Sequence, residues 1–301
     1  MQQIEIESER NQTQREFHLA GIVPVSGPRL DFNMPWHDCM MPIAPNYLAV
    51  ERAILECAWA GCNTIWLVCN NDMQPLLKSK IGNFVLDPVN SYFVHEMPFI
   101  HKRMTNYKRI PIFYTPIQQK HVGIRDSYPF SILQGAYTCY CVSLKMSQWI
   151  KPTMFYVAFP YGAYDPSTVR PHRAVLSTSK NCVLTYNNTT IKDGEYLSFT
   201  FSPNQYKEYR DLIKKRRKDI SIDETSHPKT YTLANVFGSD ILQSYQTMDI
   251  STYHNIGSWQ GYCSFLSSGE RDKYKSEHIE KYFKQQRFYS IGYGEKKDVI
   301  I

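Results

Sequence analysis

Short apolar runs alternate with segments of helical spacing in the first half of the chain. Residues 17–25 (FHLAGIVPV) form such a run and include β-branched side chains, which predicts a buried strand. In residues 47–60 the apolar positions recur at helical spacing, with Asn46 as an N-cap and Gly61 as the closing residue. Residues 65–69 (IWLVC) are the next apolar run. A strand, a helix and a strand in this order predict two parallel strands joined by a right-handed crossover.

The same alternation continues as far as residue 159 and predicts further elements. These are a short helix at residues 73–80, a strand at 110–115, a helix at 131–147 and a strand at 154–159. From about residue 172 the pattern changes to short β-like runs separated by turn signals, followed by a basic helix at residues 203–218. We therefore predict an α/β fold with a mostly parallel central sheet and a β-rich insertion in the C-terminal half.

The composition is that of a chain able to build a large core. Apolar residues make up 43% of the 301 residues and charged residues 21%, which excludes wholesale disorder. No apolar run approaches the roughly 18 residues that a membrane span needs. Residues 1–16 are polar and acidic, whereas a signal peptide is basic and then apolar. We expect a cytoplasmic protein in which residues 1–16 are a flexible tail.

Charge and cysteine usage narrow the classes of function further. The net charge of +6 gathers in residues 207–218 and 271–297. Such runs are typical of solvated helix faces, so nucleic-acid binding ranks last among the possible functions. None of the eight cysteines belongs to a C-x-x-C pair and most lie in apolar stretches, which indicates buried, reduced thiols.

The loop after the first predicted strand carries the first candidate site. In an α/β sheet, ligands bind beyond the carboxyl ends of the parallel strands, where this loop is expected to lie. It begins with Ser26-Gly27-Pro28-Arg29. A glycine lets backbone N–H groups approach a phosphate, and an arginine offers a rigid charged fork for phosphate oxygens. Simple turn chemistry also accounts for the glycine and the proline.

Two separated stretches of the chain resemble one enzyme family. The first stretch comprises residues 21–30 (GIVPVSGPRL), 41–43 (MPI), 51–54 (ERAI) and 60–65 (AGCNTI), and the second is residues 253–262 (YHNIGSWQGY). In this order they resemble the Gly-rich opening and the late Trp-x-Asp-Ile-Gly-Thr segment of the sugar-phosphate nucleotidyltransferases, in the nucleotide-diphospho-sugar transferase superfamily. The resemblance covers roughly residues 17–266 and leaves residues 267–301 as a charged C-terminal helix and tail.

The resemblance implies a Rossmann-like, three-layer fold and a reaction between a nucleoside triphosphate and a sugar 1-phosphate. The sugar phosphate attacks the α-phosphorus, and pyrophosphate leaves with the help of Mg²⁺. Ser26 and Gly27 would then belong to the phosphate loop, and Arg29 would hold the pyrophosphate.

The resemblance also implies positions for catalysis and for the metal. Asp38 falls where the family has a lysine, and we assign it to the catalytic site beside Arg29. Asn255 takes the place of the family's late metal-binding aspartate. Asp165 is the carboxylate nearest to the other metal-binding position, where this chain has Ala163.

A second ligand-binding region is predicted just before the helix at residues 131–147. Ser131 is a candidate N-cap, and a helix N-terminus with Arg125 close to it is suited to binding an anion. The region corresponds to the loop with which the family recognises the nucleobase. We assign Arg125 and Ser131 to nucleotide binding, while a capped helix with an Arg125–Asp126 ion pair explains the same residues without a ligand.

Departures from the family pattern leave the activity open. An anion at Asp38, a neutral side chain at Asn255 and Ala163 in place of an aspartate weaken the hold on both pyrophosphate and Mg²⁺. One alternative is a catalytically silent relative that binds a nucleotide, a nucleotide sugar or a partner protein. Another is a glycosyltransferase that uses a nucleotide sugar, although the sequence lacks the Asp-x-Asp-type metal site of such enzymes. The base, the sugar and the oligomeric state stay open.

Overall fold

The computed structural model describes most of the chain between Phe17 and Lys273. The described residues are 17–27, 30, 32, 34, 36–89, 108–117, 127–146, 151–219, 231–238, 242 and 244–273. The strands are β1 (Leu19–Pro24), β2 (Pro42–Ala44), β3 (Tyr47–Leu48), β4 (Thr64–Cys69), β5 (Phe84–Leu86), β6 (Arg109–Pro116), β7 (Met154–Val157), β8 (Gly162–Ala163), β9 (Asn181–Thr185), β10 (Phe199–Phe201), β11 (Tyr245–Asp249) and β12 (His254–Asn255).

Helices connect and cover these strands. The α-helices are α1 (Ala49–Ala60), α2 (Gln74–Ile81), α3 (Tyr128–Met146), α4 (Arg173–Leu176), α5 (Pro203–Asp219), α6 (Leu233–Phe237) and α7 (Trp259–Ser267). Short 3-10 helices span Asp38–Met40, Pro166–His172, Ile191–Asp193 and Glu270–Lys273. In the described part of the chain, no helix combines the length and the apolar character that crossing a membrane requires.

An eight-stranded sheet forms the centre of the fold, in the strand order β11-β9-β10-β7-β1-β4-β6-β5. Its middle strands β7, β1, β4 and β6 are parallel to one another. The parallel strands predicted from the alternating pattern are therefore confirmed. Their carboxyl ends, at Val157, Pro24, Cys69 and Pro116, lie at one edge of the sheet.

Helices cover both faces of the parallel strands. A Cβ added to Gly21 in β1 would lie 2.9 Å from Sγ of Cys57 in α1. A Cβ added to Gly135 in α3 would lie 3.0 Å from Cγ2 of Ile22. Because Gly21 and Ile22 are adjacent in a strand, they face opposite sides of the sheet. Helices α1 and α3 thus lie on opposite faces, which confirms the three-layer, Rossmann-like arrangement.

Antiparallel and short strands extend the fold in the second half of the chain. β10 is antiparallel to β7 and β9, and β11 is parallel to β9. A separate ladder joins β8 to β12 and places Gly162 opposite Asn255. One of the turns that separate these short strands lies at Asn187 and Asn188, with φ angles of 47° and 63°. The β-rich C-terminal insertion is confirmed.

The ends of α1 confirm one predicted cap and correct the other. Gly61 closes the helix in the left-handed conformation, with φ at 90°. The predicted N-cap at Asn46 is wrong, because α1 begins at Ala49 with Leu48 in the N-cap position. Oε2 of Glu51 accepts the Leu48 N–H at 2.9 Å. Asn46 instead has φ at 59° in the turn between β2 and β3, a conformation that asparagine tolerates well.

A fully buried ion pair in α1 fixes the chain that follows β7. Nη1 of Arg52 lies 2.9 Å from Oε2 of Glu56, and both side chains are fully buried. Nη2 of Arg52 donates to the carbonyl of Phe159, two residues beyond β7. Oε1 of Glu56 accepts the hydroxyl of Tyr156 at 2.6 Å and the hydroxyl of Ser198. The network ties α1 to β7 and to the start of β10.

The thiols are free, as predicted. Those of Cys39, Cys57, Cys62, Cys69, Cys139 and Cys182 are buried. Cys141 is half-buried and Cys263 is exposed. Burial raises the pKa of the Cys69 thiol to about 12, with a smaller contribution from Asp72, so this thiol stays protonated at neutral pH.

Candidate functional site

The loop after β1 begins at the carboxyl edge of the parallel strands. The N–H groups of Val25 and Ser26 donate to the Val68 carbonyl at 2.9 and 3.0 Å, which continues the pairing of β1 with β4. The Ser26 hydroxyl donates to Oδ1 of Asn70 at 2.7 Å. Ser26 is buried. The sheet therefore positions Ser26 at the predicted edge, with its hydroxyl engaged inside the protein.

Gly27 lies directly against an aromatic ring. A Cβ on Gly27 would lie 2.7 Å from Cδ1 of Tyr128 and closer still to Cε1 of that ring. No larger residue fits without displacing the ring, so this glycine is required for close packing. Pro28 and Arg29 lie outside the described residues, and the contact of Arg29 with phosphate stays a prediction.

Ser131 lies inside α3 rather than at its N-cap. The helix begins at Tyr128, and the hydroxyl of Ser127 accepts the Phe130 N–H at 3.3 Å. The predicted N-cap is wrong because Pro129 already fits the first helical turn, where its missing N–H has no cost. The buried hydroxyl of Ser131 donates to the carbonyl of Ser26, which joins α3 to the loop after β1. Arg125 lies outside the described residues.

Asp38 binds the backbone of the same loop through its carboxylate. It is the first residue of the 3-10 helix Asp38–Met40 and is 5% exposed. Its Oδ2 accepts the N–H of Leu30 at 2.7 Å. The carboxylate is therefore engaged by the backbone of the loop, which gives Asp38 a structural role in addition to the catalytic role that the sequence predicts.

Three tyrosines connect the loop after β1 with the C-terminal half of the chain. The ring centroids of Tyr128 and Tyr161 are 5.6 Å apart, those of Tyr128 and Tyr196 5.8 Å, and those of Tyr161 and Tyr196 5.4 Å. We call these three residues the tyrosine cluster. At its far end, a Cβ on Gly257 would lie 2.5 Å from Cε2 of Tyr196. The cluster thus spans the space between Gly27 and Gly257.

The tyrosine cluster is neutral at physiological pH. Burial raises the pKa of Tyr128 and of Tyr161 well above the ordinary value for a phenol. Burial, with a smaller contribution from the Glu195 carboxylate, raises the pKa of Tyr196 to about 12. The cluster therefore carries no charge of its own.

Asn255 takes part in a second polar group beside Tyr196. Its Nδ2 donates to Oε2 of Glu195 at 2.8 Å, and its Oδ1 accepts the Gly257 N–H at 2.9 Å. The hydroxyl of Tyr253 donates to the same Oε2 at 2.9 Å and accepts the Tyr196 N–H at 3.0 Å. We call Glu195, Tyr253 and Asn255 the Glu195 group. It adjoins the tyrosine cluster through Tyr196 and Gly257.

Comparison with known proteins identifies the architecture. No protein-family model matches the chain, and no curated protein matches its sequence. The structure is similar to that of a UDP-glucose pyrophosphorylase complexed with UDP-glucose, with a TM-score of 0.50 and 11% identity over 86% of this chain and 100% of the other. It is also similar to a protein described as a glucose-1-phosphate thymidylyltransferase from Bacillus anthracis, with a TM-score of 0.51 and 10% identity over 87% and 98% of the two chains. The chain has the nucleotide-diphospho-sugar transferase fold.

Within this nucleotide-diphospho-sugar transferase fold, the residues predicted to bind a metal make hydrogen bonds inside the protein. Oδ1 of Asp165 accepts the Ser167 N–H at 2.9 Å and Oδ2 accepts its hydroxyl at 2.8 Å, so Asp165 caps the 3-10 helix Pro166–His172. Both amide atoms of Asn255 are engaged, and Ala163 offers no ligand atom. Across the described ranges, no group of three or more His, Cys, Asp or Glu side chains could hold a metal ion. Asp165 and Asn255 are therefore engaged within the protein, and their assignment to Mg²⁺ stays a prediction.

Sequence reasoning missed the residues that join the two predicted halves of the site. Tyr128, Tyr161 and Tyr196 are far apart in the chain and belong to no short motif. Glu195 follows Gly194, which ends a 3-10 turn with φ at 93°, and an Asp-Gly-Glu sequence by itself reads as an ordinary turn. The pairing of β8 with β12 places Asn255 opposite Gly162, and the Tyr196 carbonyl lies against Gly162, so contacts between distant segments bring Glu195 to Asn255.

Proposed function

We propose that this protein binds a nucleoside triphosphate or a nucleotide sugar at the carboxyl edge of its parallel strands, as a nucleotidyltransferase-like protein. One observation carries the proposal: the tyrosine cluster packs on Gly27 at one end and on Gly257 at the other. These glycines belong to the two sequence stretches that resemble the nucleotidyltransferases. Their convergence at the edge where α/β sheets bind ligands supports a binding site between them.

The fold supports a nucleotide sugar as the class of ligand. A UDP-glucose pyrophosphorylase with the same fold has been solved with UDP-glucose. In this chain, Arg29 and Arg125 are the cations that we assign to the phosphates, because arginine binds phosphate oxygens through two parallel hydrogen bonds. Of the tyrosine cluster, the half-buried ring of Tyr196 is accessible to a ligand, and the buried rings of Tyr128 and Tyr161 exclude water behind it.

The engagement of the charged positions supports a protein that binds ligand but turns over very slowly or not at all. Asp38 is an anion bound by the Leu30 N–H, and both amide atoms of Asn255 are bound within the protein. Electrostatic groups that stabilise a developing charge are each worth about 10²–10³ in rate. Losing a cation and a metal-binding carboxylate together would exceed what a slow enzyme can absorb.

A thermal-shift panel tests the proposal. We expect UTP, dTTP, UDP-glucose or dTDP-glucose to raise the unfolding temperature, because saturation at about 100 times the Kd adds about 2.7 kcal/mol of stability. Arg29→Ala should reduce this shift without changing the unfolding temperature of the free protein. No shift with any of these ligands would favour the partner-binding alternative. Pyrophosphate release near about 1 per second, an ordinary enzyme rate, would overturn the proposal of slow turnover.

A further inference from the structure

The second half of α3 exposes apolar side chains to solvent. Of the six large apolar or aromatic side chains that are exposed in the described chain, three belong to this half: Tyr137, Leu144 and Met146. The whole helix of 19 residues has one charged side chain, Lys145. A helix at a protein surface ordinarily carries charged and polar residues on its outward face, so the outward face of α3 differs from that of a purely solvated helix.

The exposed side chains of α3 belong to one stripe along the helix. Tyr137, Cys141 and Leu144 are spaced by four and three residues and therefore lie on the same face, with Tyr140 beside them. Tyr137 and Leu144 are exposed, and Tyr140 and Cys141 are half-buried. We call these four residues the α3 stripe. An exposed apolar surface of this kind marks a site of interaction.

Cations lie beside the α3 stripe at two places. Nζ of Lys151 is 5.1 Å from the centroid of the Tyr140 ring. Helix α5 packs beside the stripe, with the rings of Tyr137 and Tyr206 stacked at a centroid distance of 6.5 Å. Arg210 lies one turn after Tyr206 on the same face of α5. Burial raises the pKa of Tyr206, and the positive charge of Arg210 opposes this rise, which places the guanidinium close to the two rings.

Helix α5 adds further positive charge to this surface. It carries seven basic and three acidic residues and ends in a basic run at residues 214–218 (KKRRK). Its exposed carboxylates, Glu208 and Asp211, lie about 160° and 140° around the helix from Tyr206, away from α3. The side of α5 that adjoins the α3 stripe is therefore the positive one.

Aliphatic, aromatic and cationic groups together favour an anionic lipid surface as the partner. Leu144 has neither a ring on which a nucleobase could stack nor a hydrogen-bonding group, but it is suited to the boundary between headgroups and acyl chains. Tyrosine rings are favoured at the same depth, and lysine and arginine attract anionic headgroups. A second copy of the chain would instead bring two positive helices together, which repel each other.

We propose that the α3 stripe and the positive side of α5 bind the surface of an anionic phospholipid bilayer, with Tyr137 and Leu144 in the headgroup region. Tyr128, at the start of α3, packs on Gly27, and Leu144 lies about 24 Å further along the helix. The lipid surface therefore binds far from the carboxyl edge of the parallel strands and leaves that edge open to solvent. The inference goes beyond the proposed function and holds whichever ligand the edge binds.

Vesicle flotation with the full chain tests this inference. The probes are vesicles of phosphatidylcholine alone and vesicles that also contain phosphatidylserine. We expect binding to the anionic vesicles, and we expect it to weaken as salt is added. Leu144→Gln should weaken this binding about tenfold or more, and Arg210→Gln about fivefold.

Matched control variants lie on α2. Leu76 is 50% exposed and Leu144 46%, so Leu76→Gln removes a comparable apolar side chain away from the stripe. Lys78 is an exposed cation on the same helix, and Lys78→Gln is the control for Arg210→Gln. Both control variants should bind anionic vesicles as the parent protein does. Equal binding by Leu144→Gln and Leu76→Gln would overturn the inference, because the membrane contact would then lie elsewhere.

The remaining outcomes distinguish other partners. A parent protein that binds neither kind of vesicle overturns the inference. If it instead binds a single-stranded oligouridine, and Tyr137→Ala abolishes this binding while Leu144→Gln does not, the surface binds nucleic acid. If it instead sediments as a dimer that Leu144→Gln dissociates, the surface binds a second copy. The thermal shift with UDP-glucose is a separate readout, so its absence would overturn the proposed function and leave the lipid-binding surface standing.

Discussion

Two glutamates of this fold have similar hydrogen-bond donors but different charge environments. Glu56 accepts two hydroxyl groups and the guanidinium of Arg52, and it is fully buried. Glu195 accepts a tyrosine hydroxyl and the amide of Asn255, is half-buried, and has no cation partner among the described residues. The two carboxylates therefore differ in whether a cation of the described chain forms an ion pair with them. Glu56 is paired with a cation inside the fold, whereas Glu195 forms no ion pair in the described chain.

The largest expected effect on stability comes from breaking the Arg52–Glu56 ion pair. Arg52→Met should lower the free energy of unfolding by about 3–5 kcal/mol, because it leaves the Glu56 carboxylate buried without a cation. Urea denaturation measures this loss. The double variant Arg52→Met/Glu56→Gln should be more stable than the single one, since the isolated charge is gone. A single variant that loses less than about 1 kcal/mol would remove the contrast between the two glutamates.

A third ionisable group, His18 just before β1, makes the stability of the fold depend on pH. Burial, with a smaller effect of Lys108, lowers the pKa of His18 from 6.5 to about 4. As the pH falls below 6.5, the unfolded chain takes up a proton that the folded chain resists, so stability decreases until about pH 4. The decrease from this group amounts to about 3 kcal/mol.

Replacing His18 tests this assignment. His18→Gln should flatten the fall in unfolding free energy between pH 6.5 and 4, and leave its slope above pH 7 unchanged. Denaturation curves across this pH range measure the effect. Identical pH profiles for variant and parent would show that His18 does not resist protonation in the fold.

Gly27→Ala tests the contact between the loop after β1 and the tyrosine cluster. The new Cβ must displace the ring of Tyr128, and overpacking of this kind costs about 1–3 kcal/mol. The substitution should also weaken nucleotide binding, because the displaced Tyr128 ring disturbs its contacts with Tyr161 and Tyr196. Denaturation and calorimetry on the same preparation measure both effects. A variant with unchanged stability and unchanged affinity would contradict the packing described for this loop.

The scaffold could be predicted from local pattern, and the site only in part. Buried strands and α1 follow from short apolar runs, helical spacing and Gly61, all of which are local signals. The caps at Asn46 and Ser131 were wrong because a tight turn and Pro129 compete with them over a few residues. The tyrosine cluster and the Glu195 group depend on contacts between segments that are far apart in the chain, which no local pattern encodes.

The smallest expected effect on the stability of the protein comes from replacing Glu195. Glu195→Gln should change the free energy of unfolding by no more than about 1 kcal/mol, because glutamine keeps an acceptor for Tyr253 and the lost charge had no cation partner in the described chain. Urea denaturation beside Arg52→Met gives the direct comparison. A loss as large as that of Arg52→Met would make Glu195 a structural residue like Glu56.

Hydrogen–deuterium exchange with and without UDP-glucose tests the central claim most directly, because it locates the ligand on the fold. The account predicts slower exchange in three separate segments: residues 25–27 after β1, residues 195–196 beside the tyrosine cluster, and residues 255–257 after β12. Binding of UDP-glucose with protection confined to other parts of the chain would contradict a site at the carboxyl edge of the parallel strands.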